Sequence, residues 1–562
     1  MTSDKKSIAL LTEIFVKKGL KHIVISPGSR NAPIIISFAN HPDIEALSIV
    51  DERSAAFFAL GMAQSLGKTV AIACTSGTAA LNYAPAIAEA YYQKIPLLVL
   101  TADRPPDMID IGDGQTIRQK DVYSNYIKGS FELRPEIETG DEISKAAQII
   151  NEAIDMTMFP SPGPVHINIP FAEPIYNQVE RSSFDIEVPP IPFRQGTITD
   201  KEIEEFSDMW NKSGRKLIIA GMMNRNEKLT GLLKKITEDE SVFLLSETTS
   251  NIPGKISCTC IDKLVSTITP GEAEEFQPDL LVTFGGHIVS KMIKKFLREN
   301  KPKYHWHIDP VDINMDTYGC LTSEIATRPA YFFERLLPAL KPLKSNFRNI
   351  WQQRSIRSEK KHIDFLSAAP YSDLKVFETL LQNIPADTDL HLGNSTPVRY
   401  TQLFKPFKSL NYFSNRGVSG IDGTVSTAAG AAFASGNPTT LITGDLAFFY
   451  DSNALMNNNL PGNLRIIVIN NSGGGIFRFI PGPDTTGKLE KFFEAKHNLN
   501  AKHIANNFGV PYYSAGNITE LNDILKEFYA PQNNKPAILE IFTPNESNAE
   551  VLRDYFLFLK GS

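Results

Sequence analysis

Short runs of branched apolar residues alternate along this chain with longer stretches whose apolar positions repeat every third or fourth residue. Residues 7 to 18 set Ile8, Leu11, Ile14 and Phe15 on one face of a helix that Gly19 can end. His22-IVIS reads as a strand, with Pro27-Gly28-Ser29-Arg30 at its C-terminal edge. Ile49-Val50 leads into Asp51-Glu52-Arg53, which places Glu52 at the end of a second strand. An alanine-rich helix follows, where Gly61 permits close packing. Lys68-TVAIAC is another strand, and Thr75-Ser76-Gly77-Thr78 is expected to cap the helix after it. Ile95-PLLVLTAD ends in Asp103-Arg104-Pro105-Pro106, with Gly114-Gln115 in the loop beyond. Gly163-PVHINIPF supplies a final strand. Strands and helices in this alternation predict a doubly wound parallel sheet.

The same alternation returns twice. Val188-PPIPF reads as a proline-stiffened linker. Lys216-LIIAG, Val242-FLLSE, Leu280-LVTFGG and Tyr304-HWHID then form a second α/β region, without a GxGxxG dinucleotide fingerprint. Lys291 is expected at a helix start there, and His305 and His307 alternate along a strand as a weak metal pattern that carries no assignment. Residues 338 to 362, polar and basic, read as a second connection. The third region runs through Leu390-HLGNS, a glycine-rich loop from Tyr412 to Gly423 opening a small-residue helix, and Lys535-PAILEIF. The expected fold is α/β, with three doubly wound parallel-sheet domains over 1–187, 194–340 and 363–562. A chain of 562 residues needs several cores.

Composition narrows the class. A formal net charge of −6 argues against nucleic acid as a partner. Four cysteines are too few for a disulfide framework, and Cys258 and Cys260 lack zinc spacing. The first residues hold no continuous apolar core, and no run is long enough to span a bilayer, so a cytoplasmic location is expected.

The chemistry concentrates between Leu441 and Phe477. An apolar run ends in Gly444-Asp445, a helix is expected from Ala447 to Met456, and a second strand ends in Asn470-Asn471 before three glycines. Asp445 and Asn471 lie 26 residues apart, room for one helix and a return to the neighbouring strand. A carboxylate, an amide oxygen and a glycine carbonyl make an oxygen-only ligand set suited to Mg²⁺. Singly, GD and NN are ordinary turn residues. Together they resemble the thiamin diphosphate (ThDP) signature, with Leu446 in place of its second glycine. Glu52, taken alone, reads equally as a residue paired with its neighbours. A ThDP enzyme gives it a task, because a carboxylate at the aminopyrimidine N1′ favours the imino tautomer that exposes the C2 carbanion.

SPGSRNAP, DERSAAFFALG, CTSGTAALN, LTADRPP, GNSTPVR, SNRGVSGIDGTVSTAAG, TGDL and NNSGGGIF jointly resemble the 2-succinyl-5-enolpyruvyl-6-hydroxy-3-cyclohexene-1-carboxylate (SEPHCHC) synthase family of menaquinone biosynthesis. The resemblance covers both outer regions and only weakly the central one. It implies ThDP with Mg²⁺ or Mn²⁺ as cofactors, and homodimers or homotetramers with sites between subunits. The implied reaction decarboxylates 2-oxoglutarate and adds the succinic semialdehyde carbanion to isochorismate in a Stetter-like addition. Glu52 and Gln115 would be catalytic. Glu52, Thr78, Ser419, Ile421, Asp445, Leu446, Asn471, Gly473 and Phe477 would hold the cofactor, with Asp445, Asn471 and Gly473 on the metal. Ser29, Arg30, Arg104, Lys291, Ser395, Arg399 and Arg416 would surround the substrates, Gln115 beside them. Two departures stand out: Met292 where some members carry a second cation, and Ser472 at an Asn position. Dicarboxylate substrates explain the arginines, since guanidinium binds carboxylate bidentately. An acetolactate-synthase-like carboligase would need fewer cations, and a non-catalytic ThDP-fold binding protein would not need Glu52, Asp445 and Asn471 together. The polar stretch from Pro481 to Asn500 reads as either a mobile lid or a surface excursion.

Overall fold

Three parallel sheets, each made of strand–helix units, carry the chain in a computed structural model that describes residues 1–561 apart from 182, 194–195, 312–314, 408 and 531–533. The expected start of the central domain at 194 therefore lies outside the described residues. In the first sheet Glu45–Ser48 lies at one edge, followed by His22–Ile25, Val70–Cys74, Leu97–Asp103, Val165–Pro170 and Ser130–Glu132. The third sheet has the same order: Asn411–Phe413, Asp389–Leu392, Thr439–Gly444, Leu464–Asn470, Ala537–Phe542 and Tyr512–Ala515. In both, the chain reverses direction across the sheet between the first and third strands used. Such a switch point opens a crevice at the C-terminal strand ends. The central sheet holds Val242–Ser246, Lys216–Ala220, Leu280–Phe284, Tyr304–Asp309 and Ser323–Ala326. Its strands are nearly all buried, which is why they read as continuous apolar runs instead of alternating ones.

The first and third sheets share a core. Phe57, Phe58 and Leu60 on the helix Glu52–Leu66 pack into the same cluster as Val425, Ala428, Ala429, Leu441 and Phe448. The partner is the helix Thr424–Ser435, whose run of small residues lets the two backbones nearly touch. A Cβ on Gly61 would lie 2.0 Å from the Thr427 carbonyl oxygen, and one on Gly430 would lie 1.9 Å from that of Phe58. Only glycine fits at either place. The outer faces of these two sheets and both faces of the central sheet have cores of their own.

Between the central and third sheets the structure departs from the sequence reading. Where 338 to 362 reads as a connection, a 22-residue helix runs from Phe347 to Ala368. Its first half buries Trp351 in the central core, stacked on Phe243, and its second half buries Leu366 in the third. Many polar side chains around a few widely spaced anchors gave it a low amphipathic signal. No helix among the described residues is long and apolar enough to cross a membrane.

Candidate active site

The third sheet delivers the oxygen ligands. Asp445 follows directly on Thr439–Gly444 as the first residue of a short helix, Asp445–Tyr450, which passes into a 3₁₀ turn at Ser452–Met456. The expected single helix from Ala447 to Met456 is thus two pieces, broken at Asp451, whose side chain turns back to accept from the Ser426 amide and hydroxyl. The Asp445 carboxylate is buried and accepts from its neighbour Leu446 N at 2.6 Å and from Gly473 N at 2.9 Å. Asn471 follows directly on the adjacent strand Leu464–Asn470, so the two residues stand at the same edge of neighbouring parallel strands. Its Nδ2 donates to Asp373 at 3.3 Å, which fixes the amide with its oxygen turned away from that carboxylate. Burial, with the Asp445 charge adding to it, pushes Asp373 up to about 6. Gly473 has φ +148°, and a Cβ there would lie 2.7 Å from the Glu494 carbonyl oxygen. Two buried carboxyls and a fixed amide oxygen beside a tight glycine turn suit a hard divalent cation. These residues fit the metal that holds a diphosphate.

On the first sheet, Glu52 does not end a strand. The edge strand stops at Ser48, and Glu52 is the first residue of the helix Glu52–Leu66, capped by Asp51 through Ser54 N. Neither neighbour pairs with it. Arg53 donates to the Tyr450 carbonyl and lies over the Tyr450 ring, while Asp51 accepts from Asn453. Glu52 accepts from Asn82 Nδ2 at 3.1 Å and stays partly exposed. The Thr75 to Thr78 turn is not capped by a side chain: Gly77 holds the cap position at φ +86°. Its amide donates to the buried Gln119, which also binds the Ala102 carbonyl. Thr78 and Gln115 are exposed, and the Gln115 backbone lies against Gly77.

The arginines gather as two pairs. Arg30 is buried, donating to the Phe171 carbonyl and pairing with Glu173. Burial and then the Arg104 charge lower its pKa, so the two guanidinium groups are neighbours. Ser29 is exposed on the same loop, and Arg104 reaches Asp113 at 3.8 Å. The second pair is Arg399 and Arg416, each depressed first by burial, Arg399 next by Arg416. Arg399 donates to the Ser395 carbonyl one turn back, and Ser395 itself has φ +74°. Arg416 binds Asn394 Oδ1 at 3.0 Å. Arg30, Arg104 and Arg416 each keep a buried Nε without a protein partner.

Arg416 sits where three domains meet. His287, from the central domain, donates through Nδ1 to its carbonyl at 2.7 Å, and Glu89, from the first, binds the two following amides. Asn394 ties the loop's ends through the Asn415 and Gly420 carbonyls. Ser419, at φ +63°, and the partly exposed Ile421 follow on that loop, and Phe477 packs on Phe493 with centroids 5.8 Å apart. Glu247 is fully buried under the pair and accepts from the Val289 and Ser290 amides; burial raises it to about 7. Lys291 does start a helix, Lys291–Glu299, but it is exposed. Lys294, one turn on, is the half-buried lysine that feels Glu247, Arg416 and Arg399. Its LysMetIleLys spacing was the available signal, since positions three apart share a helix face.

The stretch from Pro481 to Asn500 is a strap and not a loose excursion. Gly474 N donates to the Glu494 carbonyl at 2.7 Å, His497 N to that of Ser472 at 3.1 Å, and Asn470 Nδ2 to that of Leu499 at 3.0 Å. The Glu494 side chain is buried against Arg478.

Comparison with known proteins agrees with this geometry. Residues 6–123 match the thiamine pyrophosphate enzyme N-terminal TPP binding domain, 192–392 the middle domain of thiamine pyrophosphate enzymes, and 393–541 the C-terminal TPP binding domain. A SEPHCHC synthase of Christiangramia forsetii is 46% identical over 572 residues, covering 97% of both chains. One from Flavobacterium johnsoniae is 43% identical with 97% coverage of each. One from Porphyromonas gingivalis is 39% identical over all of this chain and 98% of its own. Similarity of this extent, across all three sheets and both half-sites, places the chain in the SEPHCHC synthase family of thiamine pyrophosphate enzymes.

Proposed function

We propose that the protein decarboxylates 2-oxoglutarate and joins the remaining four-carbon unit to isochorismate, giving SEPHCHC for menaquinone biosynthesis in the cytoplasm. The observation that carries this reading is the two arginine pairs, three of whose members keep a buried Nε–H unpartnered. Buried donors are nearly always satisfied, and two dicarboxylates would satisfy these. A monocarboxylate substrate with a small acyl group would leave one pair idle.

Bound ThDP supplies the carbon nucleophile and the electron sink for decarboxylation. Asp445, Asn471 and the Gly473 carbonyl would hold its diphosphate with the help of Mg²⁺ or Mn²⁺, and Leu446, Ser419 and Thr78 would lie beside it. Ile421 and Phe477 give the ring an apolar seat that excludes water. Glu52 holds a proton at the pyrimidine nitrogen, oriented by Asn82. Gln115, on the loop beside the Arg104 strand end, acts on the bound substrates. Ser29, Arg30 and Arg104 take one carboxylate set, and Ser395, Arg399, Arg416 and Lys294 the other, with Lys291 at the rim.

We place each site between two copies of the chain. Around Glu52 the surface exposes Val50 at 60%, Leu81 at 45% and Tyr450 at 54%. An apolar rim of this kind marks a protein-protein contact, and a homodimer or homotetramer would set Glu52 of one copy against Asp445 of another. Purified protein given ThDP, Mg²⁺, 2-oxoglutarate and isochorismate should release CO₂ and yield a product of SEPHCHC mass. Turnover of pyruvate but not of 2-oxoglutarate would refute the assignment.

A further inference from the structure

Gln119 lies on the loop that carries Gln115, and its side chain is wholly buried. Oε1 accepts from the Gly77 amide at 2.9 Å. Nε2 donates to the Ala102 carbonyl at 3.1 Å and to Asn168 Oδ1 at 3.2 Å. A backbone N–H can only donate and a backbone carbonyl can only accept, so a single orientation of the Gln119 amide fits. Both of its N–H groups are then used, and the oxygen is taken by Gly77. No donor is left for a substrate or a cofactor.

These bonds join two sides of the first-domain site. Gly77 stands at the start of the helix Thr78–Asn82, whose last residue orients Glu52 through Asn82 Nδ2. The Gln115 backbone lies against the same glycine. Ala102 and Asp103 end the strand Leu97–Asp103, directly before Arg104. Asn168, on the neighbouring strand Val165–Pro170, extends the link: its Nδ2 donates to Asp103 Oδ2 at 2.9 Å. Asp103 Oδ1 in turn accepts from the Arg104 amide at 2.8 Å. Asn168 and Asp103 are buried too. A buried polar network with its members satisfied is rigid, so neither side shifts without the other. We propose that Gln119 is a positioning residue that fixes the cofactor side, Thr78 and Glu52, relative to the substrate side, Arg104. The inference rests on the reading of Thr78 and Glu52 as cofactor residues and of Arg104 as a substrate residue.

Gln119→Met nearly keeps the volume and removes all three bonds. Asn168→Leu removes the braces on the strand end and leaves the Gly77 bond. The measurements are calorimetric ThDP affinity, kcat, the KM of each dicarboxylate and the thermal midpoint without cofactor. Gln119→Met should lower kcat, weaken ThDP binding about tenfold and raise the KM of the substrate that Arg104 binds about tenfold. That is the scale on which a buried polar group left unpaired is felt. Asn168→Leu should raise the same KM and keep ThDP affinity and kcat within twofold of wild type. The double variant should raise this KM no further than Gln119→Met, because both act through one chain of bonds. A lowered thermal midpoint with ThDP affinity and KM unchanged in Gln119→Met assigns the residue to packing and overturns the proposal. A Gln119→Met variant that moves ThDP affinity without KM, or KM without ThDP affinity, overturns it as well. Should Gln119→Met fail to fold, Asn168→Leu decides, and an unchanged KM there counts against the proposal. An Arg104→Ala variant that leaves both KM values unchanged would instead refute the reading of Arg104, and this inference with it.

Discussion

Glu89, on a helix of the first domain, accepts hydrogen bonds from the Gly417 and Val418 amides of the third at 2.6 and 2.7 Å. The carboxylate is buried, and both amides lie directly after Arg416. Hydrogen bonds to a charged group contribute about 1.5–3 kcal/mol each. Glu89→Ala should therefore loosen the loop and raise the KM of the substrate that Arg416 binds by about tenfold or more. Glu89→Gln, which can still accept from one amide, should recover part of it. Unchanged KM in a folded Ala variant would show that the loop is held by His287 and Asn394 alone.

Glu52→Gln should lower kcat by about 10²–10⁴-fold, the usual weight of a positioned acid or base. ThDP should still bind, because Glu52 sits away from the oxygen ligands. Steady-state rates at saturating ThDP check this, and near wild-type turnover would remove Glu52 from the mechanism.

Asp445→Ala should weaken ThDP binding and make what remains insensitive to added Mg²⁺. A titration that retains the wild-type Mg²⁺ dependence would reduce Asp445 to a helix-start residue.

The arginines should respond in pairs. Losing a guanidinium from a desolvated carboxylate contact costs about 2–5 kcal/mol. Arg30→Ala and Arg104→Ala should raise the KM of one dicarboxylate, and Arg399→Ala and Arg416→Ala that of the other. Arg→Lys should rescue only in part, since an ammonium lacks the planar fork. Lys294→Ala should follow the Arg399 pair, whereas Lys291→Ala should stay near wild type. Four variants that all leave both KM values unchanged would refute dicarboxylate binding there.

Buried histidines set the response to acid. Burial lowers His166 and His362 to about 3, from an ordinary 6.5. The unfolded chain takes up protons near 6.5 that the folded chain refuses, so their contribution is complete above that pH and declines as pH falls toward 3. Each costs about 1.4 kcal/mol per pH unit in that window. Glu247 and Asp373, which burial raises to about 7 and about 6, take up protons in the folded chain over the same range and offset part of this loss. The check is therefore a difference: relative to wild type, His362→Gln should gain thermal midpoint as pH falls from 7 to 5. Equal slopes for variant and wild type would place the titration elsewhere.

What was legible in the sequence is what strand ends encode. Asp445, Asn471, Arg30 and Arg104 stand just after apolar runs, and a parallel sheet must bring such positions to one edge. Contacts made across domains leave no such trace. Nothing in the periodicity around Glu89 or His287 says that both reach the Arg416 loop, because their partners lie more than a hundred residues away in the chain. The helix Phe347–Ala368 was hidden for a related reason: its two anchors, Trp351 and Leu366, serve different cores and never form one stripe. Glu52 is legible as a candidate by residue type and approximate place, while its setting at a helix start depends on where the edge strand stops. The strap was ambiguous because its anchors are mostly backbone carbonyls, which any sequence supplies.

The glycine contact at Gly61 and Gly430 bears on how this chain could be recombined. Each helix presents a bare backbone to the other, so the pair is matched to within a methyl group, and an added one would be overpacked by about 1–3 kcal/mol. A chimaera that took the first domain from one relative and the third from another would join two surfaces that were never fitted to each other. The central sheet carries its own two cores and meets the third domain through side-chain hydrogen bonds, Asn251 with the Tyr412 backbone and Gln402 with the Thr248 amide. In laboratory shuffling, the outer domains should be inherited together or not at all, and an exchanged middle domain should be accepted only where it keeps those contacts.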